Sequence, residues 1–289
     1  MPELPEVETV RRQLVPVLRG KTIDSIEVFH AKTVGHDETI EDVLRGKTID
    51  HIDRIGKLLI VSFIHQPNIF LLAHLKMTGQ FFYEDRSEHQ LIGGGHSLTP
   101  TDSLNLPNQH TRVSFIFKDG SNLYFNDMRL FGYTKLADAR MVDQARAGFG
   151  PEPIDVAFDV DWFSTSIRIR KTLVKAALLD QTFVAGLGNI YVDETLWRAQ
   201  VRPTRRANRL TKREARLIGI EAGSVMREAI AVGGTTFQNF VDTNGKNGNF
   251  TDYLQVFGKQ GSACSRCTTT IKKIRVAGRG THYCPGCQK

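Results

Sequence analysis

Residues 264–287 read CSRCTTTIKKIRVAGRGTHYCPGC. Two Cys-x-x-Cys knuckles, Cys264/Cys267 and Cys284/Cys287, stand sixteen residues apart. That spacing lies within the C-x2-C-x15–20-C-x2-C pattern of zinc sites. Four thiolates can surround one zinc ion tetrahedrally at about 2.3 Å, and a fourth sulfur leaves no position open for substrate. The predicted site is therefore structural. Paired disulfides or redox thiols are the alternatives. The span between the knuckles predicts two strands joined by a turn at Ala277-Gly278-Arg279-Gly280, with Arg279 at its tip. An arginine fork suits phosphate, and flanking glycines allow a partner backbone to approach. A solvated turn arginine is the plainer reading.

Working outward, the four cysteines all fall in this closing stretch of a chain of 289 residues. They mark a local module on a protein long enough for about two domains. A formal net charge of +7 favours a polyanionic partner, most simply nucleic acid. The N-terminus is acidic and lacks an apolar signal region. The longest apolar runs, 58–64 and 69–73, are broken by His65-Gln66-Pro67-Asn68 and are too short for a bilayer. A cytoplasmic, nucleoid-associated protein with no membrane partner is expected, its thiols reduced. No interface signal stands out, and a monomer is expected.

The first residues, MPELPEVET, open a helical pattern over 3–19, with Leu4, Val7, Val10, Leu14 and Leu18 at helical spacing. Pro5 suits a first turn, Pro16 predicts a kinked end and Gly20 a C-terminal stop. LRGKTID occurs at 18–24 and again at 44–50, each copy leading from a helical stretch into an alternating strand. Two copies predict pseudo-symmetric edges of a β-rich domain. Further strands are predicted at 57–63, 69–75, 113–117, 123–125 and 133–136. Together they favour a sandwich. Residues 85–110 are polar and turn-rich and read as an exposed, mobile insertion. Beyond GPEP at 150–153 the pattern turns helical, at 172–180, 190–198 and 211–231.

Three stretches together resemble one family: MPELPEVET at the start, LLDQTFVAGLGNIYVDE at 178–194, and GRGTHYCPGCQK at the end. They are similar to bacterial formamidopyrimidine-DNA glycosylases over nearly the whole chain, apart from 85–110. The resemblance implies an α+β protein of two domains. An N-terminal β-sandwich with a leading helix would occupy 1–136, with a hinge at 137–155. A helical, helix–two-turn–helix domain would fill 156–257 and a β-hairpin zinc finger 258–289. The implied partner is double-stranded DNA carrying oxidised purines or abasic sites, held in the cleft between the domains.

The implied chemistry begins at Pro2, once Met1 is removed. An α-amino group has a pKa near 7.7–8.0, so a neutral, nucleophilic fraction exists at pH 7. Attack at the sugar C1′ expels the damaged base and leaves a Schiff base. Strand cleavage by β,δ-elimination then needs no metal. Glu3 would shuttle protons and Glu6 would support it. Both acids also suit a helix's first turn. Lys57, in RIGKLL, matches a phosphate-contacting lysine of the catalytic set. Asn189 in GLGNIY and Arg279 match further phosphate ligands. His74 and Lys175 fall on other DNA-binding positions of the family.

Extruding a nucleotide leaves a gap that something must fill. By resemblance, Met77 in HLKMTG and Arg129 and Phe131 in MRLFG are the inserted residues. Pattern alone would bury Met77 and Phe131 in a core. A lesion-covering loop is expected at about 235–250. There KNGNF stands where many relatives have Lys-Pro-Gly-Tyr-Phe, so Asn247 and Asn249 replace a stiff residue and an aromatic. An endonuclease VIII-like enzyme for oxidised pyrimidines is the rival within the fold, disfavoured by Leu4, where that branch usually has glycine. A lesion-binding protein without catalysis is the rival of another class.

Overall fold

The first element of the computed structural model is helix α1, Leu4–Leu18, and its apolar stripe is buried as the spacing predicts. Each such leucine or valine contributes about 1.5–3 kcal/mol relative to exposure. Pro5 sits in the first turn, and the helix carries Pro16 within it and ends two residues later. Gly20 then takes a left-handed φ of +81° that other residues adopt at a cost. The structure describes residues 2–85, 90–94, 106–235 and 250–289.

The LRGKTID repeat becomes a corner. The first copy leads from α1 into β1 (Ile23–Val28), the second from α2 (Ile40–Leu44) into β2 (Ile49–Ile55). The copies bond to each other reciprocally. Gly20 N–H donates to Ile49 O at 2.8 Å, and Gly46 N–H to Ile23 O at 2.8 Å. The Thr22 and Thr48 hydroxyls meet at 2.9 Å. β1 enters one sheet and β2 the other, so the repeat is where the two sheets are joined.

The remaining strands are β3 (Leu58–Phe63), β4 (Gln66–His74), β5 (Gly79–Glu84), β6 (Gln90–Gly94), β7 (Thr111–Phe117), β8 (Asn122–Asp127) and β9 (Tyr133–Ala137). One sheet has the order β1-β7-β8-β5-β6 and the other β2-β3-β4-β9; all their pairs are antiparallel. A single apolar cluster takes Ile23, Phe81, Phe115 and Phe125 from the first sheet, Ile52, Leu59 and Leu71 from the second, and Val10 and Leu14 from α1. This is a sandwich closed by the leading helix. Part of the 85–110 stretch corrects the sequence reading: β6 is a strand, paired with β5 from Gln80↔Gly94 to Glu84↔Gln90. Its glycines hide a strand signal that pairing to the β5 edge overrides.

Contacts divide the chain into two units. The first runs through Ala147 and resumes at Gly233; the second comprises Gly148–Val232 and Phe250–Lys289. Helix α3, Ala139–Ala147, closes the first stretch, where a hinge was expected. The second unit carries α4 (Val160–Arg168), α5 (Val174–Leu179), α6 (Asn189–Arg198) and α7 (Lys212–Ala231). A turn at 181–183 and a bend at 184–186 link α5 to α6. Gln181 fastens them, donating to Leu179 O at 3.1 Å and Leu187 O at 2.8 Å and accepting from Gly186 N–H at 3.0 Å. α7 opens on a capping box between Thr211 and Glu214.

The unit ends in an antiparallel hairpin of β10 (Lys272–Val276) and β11 (Arg279–Tyr283). Its loop has only two residues, Ala277 and Gly278, both with positive φ (48° and 73°), as a tight hairpin turn requires. Arg279 therefore pairs with Val276 beside the tip and does not form the tip itself.

Candidate functional site

In the first unit the start of α1 is built around the Glu6 carboxylate, which is wholly buried. Its Oε2 accepts the Glu3 N–H at 2.8 Å. Its Oε1 accepts the Thr235 N–H at 2.9 Å and the Thr235 hydroxyl at 3.0 Å. An acid in the first turn was legible as a dipole partner; its grip on residue 235 was not. Pro2 and Glu3 are buried directly ahead of the helix, so the positive end of its dipole faces them.

A second group lies on β2–β4. Lys57, readable from sequence as a solvated turn lysine, is only 7 % exposed. The turn that carries it is braced from α1. Glu8 accepts from Arg11, Arg12 and Arg54, and Arg54 also donates to Gly56 O at 2.9 Å. His74 ends β4. Its Nδ1 accepts the Lys76 N–H at 2.9 Å, which leaves the ring proton on Nε2. Burial, reinforced by the charges of Lys76 and Lys57, holds His74 down at about 3. It is a neutral donor at physiological pH.

The third group joins the residues expected to act as a wedge. Arg129 Nη1 donates to Met77 Sδ at 3.2 Å, and its guanidinium lies 4.9 Å from the centre of the Phe131 ring. Phe131 is 48 % exposed and Met77 half-buried, so neither is core. They stand on two turns, one before β5 and one after β8. Each turn contains a non-glycine residue in the left-handed region, Lys76 (φ 51°) and Leu130 (φ 55°). Such conformations cost on the order of 1–3 kcal/mol and persist where neighbours over-determine them. Asp127, missed by sequence reasoning, supplies the determination. It is buried, and accepts from the Thr78 hydroxyl and from the N–H groups of Arg129 (3.2 Å), Phe131 (2.8 Å) and Gly132 (2.6 Å).

In the second unit the expected DNA-binding residues converge on one carbonyl. Asn189 Nδ2 donates to Gly280 O at 2.9 Å, and Lys175 Nζ reaches the same oxygen at 3.5 Å. Lys175 is fully buried and ion-paired with Asp193 at 2.6 Å. Its charge is directed at a carboxylate inside the unit. Asp193 in turn accepts the His282 N–H at 2.8 Å. The exposed Arg279 thus sits next to a residue anchored by both side chains.

The four cysteine sulfurs lie within 4.8 Å of one another. Three of their separations are 3.6, 3.3 and 3.6 Å. A tetrahedron with bonds of about 2.3 Å has edges of about 3.8 Å, so the donor set fits one zinc ion. The Trp197 indole N–H donates to Cys264 Sγ at 3.4 Å and supports the sulfur from outside.

Family profiles match the chain in three consecutive pieces. They are described as the formamidopyrimidine-DNA glycosylase N-terminal domain (residues 1–134), the formamidopyrimidine-DNA glycosylase H2TH domain (149–241), and a zinc finger found in FPG and IleRS (261–289). The chain belongs to the formamidopyrimidine-DNA glycosylase family. Within that family it is 39% identical over 292 residues to the enzyme of Streptococcus pneumoniae, covering 100% of this chain and 99% of the relative. It is 38% identical to that of Bacillus cereus over 293 residues, covering 100% and 99%. A solved complex of the Lactococcus lactis Fpg with DNA containing an abasic site is similar, with a TM-score of 0.86, 36% identity and 99% of each chain covered. A structure of MutM with DNA containing carbocyclic 8-oxo-G is also similar, with a TM-score of 0.85, 36% identity and 100% of each chain covered. For this glycosylase-family chain the zinc finger profile and the four clustered sulfurs agree on one zinc ion. The lesion-covering loop expected at 235–250 lies outside the described residues from 236 to 249. Among the described residues no helix is long and apolar enough to cross a membrane.

Proposed function

We propose that the protein is a bifunctional DNA glycosylase and abasic-site lyase that removes oxidised purines, 8-oxoguanine and formamidopyrimidines, from duplex DNA. The observation that supports it most is the start of α1, where Pro2 and Glu3 are held directly ahead of the helix by Glu6. Solved relatives in complex with abasic-site, Fapy-dG and 8-oxo-G DNA support this substrate class.

In this reading Met1 is cut away and Pro2 becomes a secondary amine. The helix dipole favours its neutral form. Its nitrogen lone pair attacks C1′ of the extruded nucleotide and the bond from C1′ to the base breaks. The Pro2 nitrogen gives up its proton, and the base leaves with the glycosidic electron pair and takes up one proton. Glu3 gives a proton to the ring oxygen as the sugar opens, and the product is an iminium at C1′. The iminium acidifies the C2′ proton. Its removal expels the 3′ phosphate, and a second elimination expels the 5′ phosphate. Glu6 is a positioning residue, because its three acceptor bonds occupy it. Lys57, His74, Asn189 and Arg279 contact backbone phosphates, with His74 donating from Nε2. Met77, Arg129 and Phe131 fill the vacated space, Arg129 facing the orphaned partner base.

The zinc ion is structural. It would be held by Cys264, Cys267, Cys284 and Cys287, and it keeps β10 and β11 rigid when bound.

The test is a labelled duplex with one 8-oxoguanine. The reading expects free base and a one-nucleotide gap bounded by phosphates at both ends. Excision of oxidised pyrimidines alone, or lesion binding with an intact strand, would overturn it.

A further inference from the structure

We propose that Asp127 is the positioning residue of the wedge: its carboxylate fixes the two turns that carry Met77, Arg129 and Phe131 in the arrangement that replaces an extruded nucleotide. The inference rests on the glycosylase reading above and extends it to a residue that has no need to touch DNA.

Asp127 closes β8, and its backbone pairs with Gly79 at the first position of the β5–β8 ladder. It is 1 % exposed. A carboxylate so placed is costly unless its oxygens are satisfied. Among the described residues its four donors come from the two wedge-bearing turns: Thr78, next to Met77, and the N–H groups of residues 129, 131 and 132. The last three bracket the left-handed Leu130. Space around the carboxylate is also closed. A Cβ on Gly132 would lie 3.2 Å from Asp127 Oδ2 and 2.8 Å from the Phe125 ring.

A carboxylate that served only stability would organise buried side chains. This one organises exposed ones, among them Phe131 and Met128, at 48 % and 58 %. The cluster is also composite. Met77 comes from one turn, Arg129 and Phe131 from the other, and the Arg129–Met77 contact forms only when the turns are in register. On top of the β5–β8 ladder, Thr78 ties the two turns: its hydroxyl donates to Asp127 and accepts the Arg129 N–H at 3.1 Å. A wedge prearranged in this way needs no ordering when it enters the stack.

The test uses the intact protein and two duplexes, one with 8-oxoguanine and one already abasic at the same position. The second demands less of the wedge, since no stacked base has to be displaced. Asp127→Asn turns an acceptor into a donor facing N–H groups. Single-turnover base excision is expected to fall about 30-fold or more, while cleavage of the abasic duplex falls less than about threefold. Thr78→Val should show the same bias more weakly, and Thr78→Ser, which keeps the hydroxyl, should restore excision. If Asp127→Asn does not fold, as read by circular dichroism, the two Thr78 variants decide. Fluorescence of 2-aminopurine beside the lesion reads unstacking without any chemistry. It should rise with the native protein and with Thr78→Ser, and rise less with Thr78→Val. Equal losses on both duplexes, or full unstacking and excision by Thr78→Val, would overturn the assignment of Asp127. Native protein that unstacks the lesion but releases no base overturns the glycosylase reading and leaves the positioning role standing.

Discussion

Glu6 and Thr235 are 229 positions apart in the chain, yet one carboxylate oxygen of Glu6 accepts both the amide and the hydroxyl of Thr235. The other oxygen holds the Glu3 amide. The start of α1 and the stretch beyond α7 therefore meet at a single buried group. Gly234 lies against it with φ +80°, and a Cβ there would come within 2.8 Å of Glu6 Oε1. Glu6→Gln should place an NH2 group against N–H donors and lower kcat on a lesion duplex by about 10²-fold, the cost of a small misplacement of reacting groups. Gly234→Ala should cost on the order of 1–2 kcal/mol in stability from its left-handed backbone alone. Thr235→Val should be milder than either. Turnover and thermal melting measured on the three variants check this order.

His74 gives a prediction about protonation. Burial and two neighbouring lysines hold it at about 3, and the Lys76 amide occupies Nδ1. Because the folded pKa is depressed, the associated stability is complete above the unfolded value near 6.5 and is lost as pH falls toward 3. Nitrogen chemical shifts should show one neutral tautomer, protonated on Nε2, down to pH 5. A ring that titrates near 6.5 contradicts the packing described.

Lys175 should behave as a brace for its neighbourhood. Lys175→Met leaves Asp193 buried without its partner, a loss of about 3–5 kcal/mol. It should also loosen Gly280 and so weaken the phosphate contact proposed for Arg279. Arg279→Ala is expected to lower the salt slope of DNA binding by about one contact with little change in melting temperature. Lys175→Met should lower both. A Lys175→Met protein that melts normally would remove the brace.

Glu8 predicts the acid limb of stability. Burial pushes its carboxyl up, but hydrogen bonds from Arg11, Arg12 and Arg54 outweigh that and hold it at about 2. Its contribution is complete above the unfolded value near 4.5 and vanishes as pH falls through 2. Glu8→Gln should remove about 2–3 kcal/mol at pH 7 and flatten stability against pH between about 4.5 and 2. Chemical denaturation across that range provides the measurement.

The apolar spacing of α1, the LRGKTID corner and the cysteine knuckles were all readable because local pattern and tertiary role coincide there. The strand at 90–94 was not readable, since its glycines carry no pattern and only the β5 edge makes it a strand. Lys57, Met77 and Phe131 show the limit of residue type: the lysine is buried and the phenylalanine half-exposed, against ordinary expectation. Asp127 and Asp193 left no local trace. Each acts through acceptor bonds to groups that only the fold brings within reach.

The proposed mechanism turns on attack of the Pro2 amine on the sugar. Its most direct test is borohydride reduction during turnover on an 8-oxoguanine duplex, followed by mass mapping of the protein–DNA adduct. One adduct per protein is expected, on the α-nitrogen of Pro2 in a chain from which Met1 has been removed. An adduct on a lysine, or base release by a chain that still carries Met1, would contradict it.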